Sequence, residues 1–148
     1  MRVGGLVGDK GALYIPAYLT ISMLGIAKKT IIFELDTGAS RTVISQGDAE
    51  KIGIDFEKLK ASDAKSVLGI GGRAKVYVVQ NATLQFQELG RPEWLMQVDI
   101  AELFILYHGS DDSPETKELK NLPSLLGRDL LGRSFRLDSD GDRITFDR

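Results

Sequence analysis

Leu13, Ile15, Ala17, Leu19 and Ile21 alternate with Tyr14, Pro16, Tyr18, Thr20 and Ser22. That period of two predicts a strand with one strongly apolar face, and Pro16 assigns it to a sheet edge or bulge. "MLGIAKK" supplies a turn, and "TIIFEL" then predicts a short, largely buried strand running into Asp36. After Asp36-Thr37-Gly38 the chain is extended through "RTVIS". Charges at helical spacing around Ala49, Ile52 and Phe56 follow, where Gly47 and Gly53 weaken a helix.

Further along, "SVLGIGGRAKVYVVQNATLQFQELG" predicts a hairpin whose second arm alternates through Val76, Val78, Ala82, Leu84 and Phe86. "PEWLMQVDIAELFILYHG" is apolar enough for core, most simply strands, although periodicity alone leaves a turn of helix open. The polar stretch 110–121 predicts a surface insertion, as loop or short helix, that tolerates change. "LPSLLGRDLLGRSF" predicts an apolar strand turning into a short helix, and 135–148 two arms about an Asp-Gly turn.

Composition narrows the chemistry. At 148 residues, 43% hydrophobic, the chain is expected to form one domain over 1–148 with a working core. Nineteen basic and 21 acidic residues, without a basic stripe, argue against nucleic acid as a partner. With no cysteine, catalysis rests on carboxylates, hydroxyls, lysines or the single His108, and the expected compartment is the cytoplasm. The uncharged stretch from Gly11 to Ala27 is short for a membrane span and holds Pro16 and Gly25, so two strands about a turn explain it better.

Among the candidate motifs, Asp36-Thr37-Gly38 alone is a common surface turn. Its flanks change its weight: Ile31, Ile32, Phe33 and Leu35 before it, and Ala39 and Ser40 after it, are expected to hold the carboxylate at a buried, hydrogen-bonded turn. General acid and base work at one bond asks for two carboxylates, which a symmetric dimer pairing Asp36 with its own copy would supply.

"LDTGAS" at 35–40, "VLGIGG" at 67–72 and "SLLGRDLL" at 124–131 occur in this order. Together, over most of 12–135, they resemble the retropepsins, the single-domain, homodimeric aspartic proteases of retroviral type. The resemblance implies an all-β closed barrel with a flap hairpin and one short C-terminal helix. It implies Asp36 as catalytic aspartate, Thr37 hydrogen-bonding across the dimer, and Gly38 against bound peptide, with Ala39 completing the loop. Leu68, Gly69, Ile70, Gly71 and Gly72 would form the flap that closes on substrate. Leu125, Leu126 and Gly127 would form the apolar loop beside the catalytic turn, with Arg128 and Asp129 opening the helix. Ser40 and Arg41 stand where retroviral enzymes commonly carry acids, so substrate subsites should differ.

The expected function is an aspartic endopeptidase active as a homodimer on extended or unfolded polypeptide, needing no metal or cofactor and no membrane. A catalytically silent peptide-binding or dimerisation module of the same fold is the alternative, and a heterodimer with a related chain a third reading. Because Ala39 brings no hydroxyl to the dyad, a less acidic optimum than that of pepsin-like enzymes is expected. The 135–148 hairpin is the expected dimer interface. Gly69, Gly71 and Ala74 formally fit a dinucleotide fingerprint but precede a β-like run. Asp138, Asp140 and Asp142 suit a hairpin turn better than a calcium loop, His108 a surface position, and Asn81-Ala82-Thr83 a glycosylation signal without relevance in a cytosolic chain.

Overall fold

The structure is a computed structural model that describes residues 2–8, 11–61, 65–68, 75–137 and 143–146, of which 65–68 and those beyond residue 131 are described as backbone only. The strands are β1 (Arg2–Gly4), β2 (Leu6–Val7), β3 (Leu13–Ile21), β4 (Ile26–Leu35), β5 (Val43–Ile44), β6 (Lys65–Leu68), β7 (Lys75–Glu88), β8 (Arg91–Tyr107), β9 (Ser124–Leu126), β10 (Phe135–Leu137) and β11 (Arg143–Phe146). Short helices α1 (Gln46–Lys51), α2 (Phe56–Ala61), α3 (Pro114–Lys120) and α4 (Arg128–Ser134) lie between them.

The order β3-β4-β9-β5-β8-β7, with β7 returning to pair β3, closes a barrel of six strands, while β2 and β6 extend it. Closure gives each barrel strand a neighbouring strand on both sides and leaves an apolar interior to fill. Ile15, Leu19, Ile21, Phe33, Ile44, Leu84, Phe86, Leu103, Ile105 and Leu126 fill it, all of them fully buried. The expected barrel and C-terminal helix are therefore present, and α1 to α3 are additional helices the sequence reading left weak or open.

The alternation expected along β3 holds throughout, with Leu13, Ile15, Ala17, Leu19 and Ile21 all inward. Pro16, however, lies in a barrel strand rather than at an edge. It is paired with Ile32 of β4 on one side. On the other side, β2 reaches only Tyr14 and β7 begins at Tyr18, so Pro16 sits in a gap between two partners. Its missing N–H leaves no donor stranded there.

β4 likewise alternates instead of being largely buried: Ile31 and Phe33 face the core, whereas Ile32 is 56% exposed. In β7 the expected phase holds for Ala82, Leu84 and Phe86; before them Tyr77 and Val79 enter the core cluster, while Val78 is buried outside it and Val76 is half-buried. Asn81, with φ of 62°, lies between the two phases. One left-handed residue within the strand accompanies the change in which parity faces inward.

"PEWLMQVDIAELFILYHG" resolves into a single long strand, β8, antiparallel to β7 along nearly its whole length. β6 pairs with the start of β7, so the predicted hairpin arms exist, but Gly69 to Gly72 lie outside the described residues. The C-terminal arms β10 and β11 also pair, and β1 joins them in a three-stranded sheet that periodicity did not anticipate. Asp138, Asp140 and Asp142 fall outside the description.

Gly47 weakens α1 by propensity yet has a packing reason to be there. A Cβ at that position would fall on the carbonyl of Lys120, so glycine lets α3 dock against α1. The Lys120–Glu50 ion pair at 3.3 Å and the buried Thr116 belong to the same junction. Gly53, with φ of 89°, follows the end of α1 and supplies its left-handed exit.

Candidate active site

Asp36 stands immediately after β4, where the chain leaves the barrel. Parallel pairing of Phe33 to Leu35 with Ser124 to Leu126 delivers two strand ends side by side, and the N–H of Asp36 donates to the Leu126 carbonyl at 3.0 Å. The turn then closes on itself. Ala39 N–H donates to the Asp36 carbonyl at 3.2 Å, and Gly38 N–H donates to Asp36 Oδ1 at 2.8 Å. No other hydrogen bond to that carboxylate is made among the described residues.

In the single chain Asp36 is half-buried and Thr37 and Gly38 are exposed, which corrects the expectation of a buried acid. The physical reason is position: apolar β4 residues pack below the turn, but the turn itself is at the barrel's rim. A half-exposed carboxylate with one oxygen held by a backbone amide is oriented yet still able to accept a proton or a donor.

Beneath the turn a second set of contacts fixes it from behind. Arg128 N–H donates to the Ala39 carbonyl at 2.8 Å. The Asp129 carboxylate accepts the Thr42 N–H at 3.0 Å and the Thr42 hydroxyl at 2.8 Å, and also the Leu130 N–H at 2.9 Å. Thr42 Oγ1 in turn accepts the Gly127 N–H at 3.2 Å. Thr42 is wholly buried and Asp129 half-buried, so the Thr42–Gly127 bond in particular is made away from water, where leaving it unmade is costly.

Gly127 has no room for a side chain. A Cβ there would lie 2.9 Å from the Arg41 nitrogen and closer still to its carbonyl. Two backbone segments cross at van der Waals contact at this point, which only glycine permits. The structure thus brings Asp36 to Ala39 together with Leu125 to Asp129, from chain positions some ninety residues apart as the 85-residue Thr42–Gly127 separation shows. Leu125 pairs with Val43 and is half-buried, while Leu126 is fully buried. Arg128 has an exposed side chain. Leu68 is described only as backbone at the end of β6, and Gly69, Ile70, Gly71 and Gly72 lie outside the described residues.

Sequence reasoning passed over Thr42, Ser45 and Ser124. Ser45 caps α1 by accepting the Asp48 N–H at 3.2 Å, its own N–H donates to Ser124 Oγ at 3.0 Å, and Ser124 donates to Asp48 Oδ2 at 2.6 Å. The Ser-x-x-Asp spacing of Ser45 and Asp48 was the available signal for the cap. Gln46, also buried, accepts the His108 N–H at 2.6 Å and donates to the Gly109 carbonyl at 2.6 Å, tying α1 to the end of β8. His108 is half-buried rather than a plain surface residue, with both ring nitrogens lacking partners among the described residues, and burial lowers its pKa.

No group of three or more potential metal ligands occurs among the described residues, and no helix among them is long and apolar enough to cross a membrane.

Comparison with known proteins accords with this geometry. A retropepsin-like aspartic protease from Rickettsia conorii superposes with a TM-score of 0.53 at 22% identity, over 99% of this chain and 88% of that one. The retroviral protease-like domain of Ddi1 from Leishmania major superposes with a TM-score of 0.55 at 18% identity, over 93% and 89%. At these identities the likeness establishes the fold. No curated protein matches the chain. The aspartyl protease family profile matches residues 21–130, a stretch that holds both the Asp36 turn and the Gly127 crossing; the chain therefore belongs to the aspartyl protease family.

Proposed function

We propose that this chain is one subunit of a homodimeric aspartic endopeptidase, in which Asp36 and the same residue of a second copy share one proton and activate water between them. The observation that carries the reading is the presentation of Asp36. Its carboxylate is oriented by the Gly38 amide and backed by the Arg128 and Asp129 contacts, yet it remains half-exposed and makes no ion pair among the described residues. A structural aspartate would ordinarily be satisfied inside its own chain. One held this firmly and left open suits chemistry supplied from outside.

In the dimer one carboxylate would take a proton from water as the other gives a proton to the scissile carbonyl, since two like charges at close range do not both ionise. Substrate would lie extended across the Asp36 turns, with Thr37 and Gly38 facing the second copy and the peptide. The β6–β7 hairpin arms would close over it. Backbone pairing of that kind favours unfolded or flexible polypeptide.

The test combines sedimentation with cleavage of a denatured protein by wild type and Asp36→Asn. A dimer that cleaves, and loses cleavage by several orders of magnitude in the Asn variant, is expected. A confirmed dimer that cut nothing over a broad pH range would establish the silent binding module instead. An Asn variant as active as wild type would remove Asp36 from the mechanism.

A further inference from the structure

The gap beside Pro16 opens a groove of about 460 Å³ that has no residue in common with the Asp36 turn or the Gly127 crossing. It exists because β2 stops pairing with β3 at Tyr14 while β7 starts at Tyr18, leaving the middle of β3 covered by β4 alone. Leu6, Pro16, Tyr18, Leu89 and Pro92 give it apolar walls, and Leu6 and Leu89 are 75% and 46% exposed. Its volume falls within the roughly 300–1,000 Å³ of small-molecule sites.

Among the described residues Glu88 is the one acidic side chain on that wall. Its Oε2 is buried and accepts no hydrogen bond in the described structure. The cation nearest in register, Arg91, is directly opposite across the hairpin turn, but its guanidinium sits over the Trp94 ring at 4.9 Å. Glu88 as a whole is half-buried and lines the groove, so its carboxylate can be approached there, and an arriving cation would offset a charge whose Oε2 end is shielded from water and given no donor. Leu89 N–H donates to the Arg2 carbonyl at 2.7 Å, so the hairpin turn bearing Glu88 is anchored to β1 instead of swinging free.

We infer that this groove binds a small organic cation, an amine or guanidine on an apolar body, with the body between Pro16 and Leu89 and the charged head on Glu88. Neutral apolar molecules of the same shape would gain only the burial part of the interaction. The inference does not depend on the chain being an active protease.

The test uses 4-phenylbutylamine and its neutral analogue 4-phenylbutan-1-ol, titrated into the full chain labelled with ¹⁵N. Saturable amide shifts centred on Ala17, Thr30 and Gly90 are expected for the amine. A hydrogen bond to a charged group is worth enough that the alcohol should bind about tenfold more weakly. Glu88→Gln should bring the amine down to the affinity of the alcohol and leave the alcohol unchanged. Thr30→Trp, which fills the groove from its β4 wall, should abolish both. Amine shifts that map elsewhere or fail to saturate would overturn the inference. So would equal affinity of amine and alcohol, a result that can be read on wild type even if Glu88→Gln does not fold.

Discussion

Replacing Thr42 with valine removes one hydroxyl and keeps the side-chain shape, and the structure says what that hydroxyl holds. It donates to Asp129 Oδ1 at 2.8 Å and accepts the Gly127 N–H at 3.2 Å, at a fully buried position. Asp129 is the less affected partner, because Oδ1 keeps the Leu130 N–H and Oδ2 keeps the Thr42 N–H. Loss of that bond therefore falls near the low end for charged groups, about 1.5 kcal/mol. Gly127 N–H has no second acceptor among the described residues, and an orphaned buried donor costs about 1–3 kcal/mol.

The expected total for Thr42→Val is about 3 kcal/mol, or a fall in Tm of roughly 6–12 °C for a domain of this size. Thr42→Ser is the control. It keeps both bonds and loses one methyl, costing about 1 kcal/mol. Urea unfolding followed by far-UV circular dichroism reads the difference; Trp94 is 54% exposed and a poor reporter of the core. Protein concentration must be held constant, since association would add to apparent stability. Valine and serine variants equal to within about 0.5 kcal/mol would refute the idea that this hydroxyl clamps the two segments.

Other substitutions probe the close approaches and the lone histidine. Gly127→Ala should destabilise by about 3 kcal/mol or prevent folding, because its Cβ meets the Arg41 backbone, which cannot swing aside as a side chain can; unchanged thermal unfolding would contradict the crossing. Gly47→Ala should also destabilise, by the clash with the Lys120 carbonyl, despite alanine's advantage of about 1 kcal/mol in a helix; a stabilised variant would show that α3 does not dock there. His108 should titrate below the ordinary imidazole range because burial disfavours its charged form. The unfolded chain then binds more protons than the folded one between the lowered pKa and 6.5, so stability falls as pH drops through that window and is flat above it. As the only histidine, it gives a single NMR titration to follow, and a midpoint at or above 6.5 would contradict its burial.

Much of the site was legible because its pieces are local. A strand, an Asp-Thr-Gly turn, two hairpin arms and an apolar strand entering a helix each leave a signature within about a dozen residues, and their order suggested the family. What stayed hidden was long-range. Nothing around Thr42 announces that Asp129 and Gly127 converge on it, and the reason for Gly47 lies in the backbone of Lys120. The exposure of Ile32 and the gap beside Pro16 depend on which strands flank β3 and β4, which alternation alone does not specify. The change of phase at Asn81 is likewise invisible to a count of apolar positions, since one residue with positive φ resets it.

The parallel pairing of β4 with β9 has a bearing on how the chain is made. On the side away from β3, Phe33, Glu34 and Leu35 are paired by Ser124, Leu125 and Leu126, and the Asp36 amide donates to the Leu126 carbonyl. During synthesis from the N-terminus, the chain through Leu126 must leave the ribosome before the turn that presents this acid can be held in place. A nascent chain accordingly carries an unassembled Asp36 loop until Leu126 has emerged. The Asp36 geometry is thereby acquired only once β9 has emerged, long after the residues of the turn itself have been made.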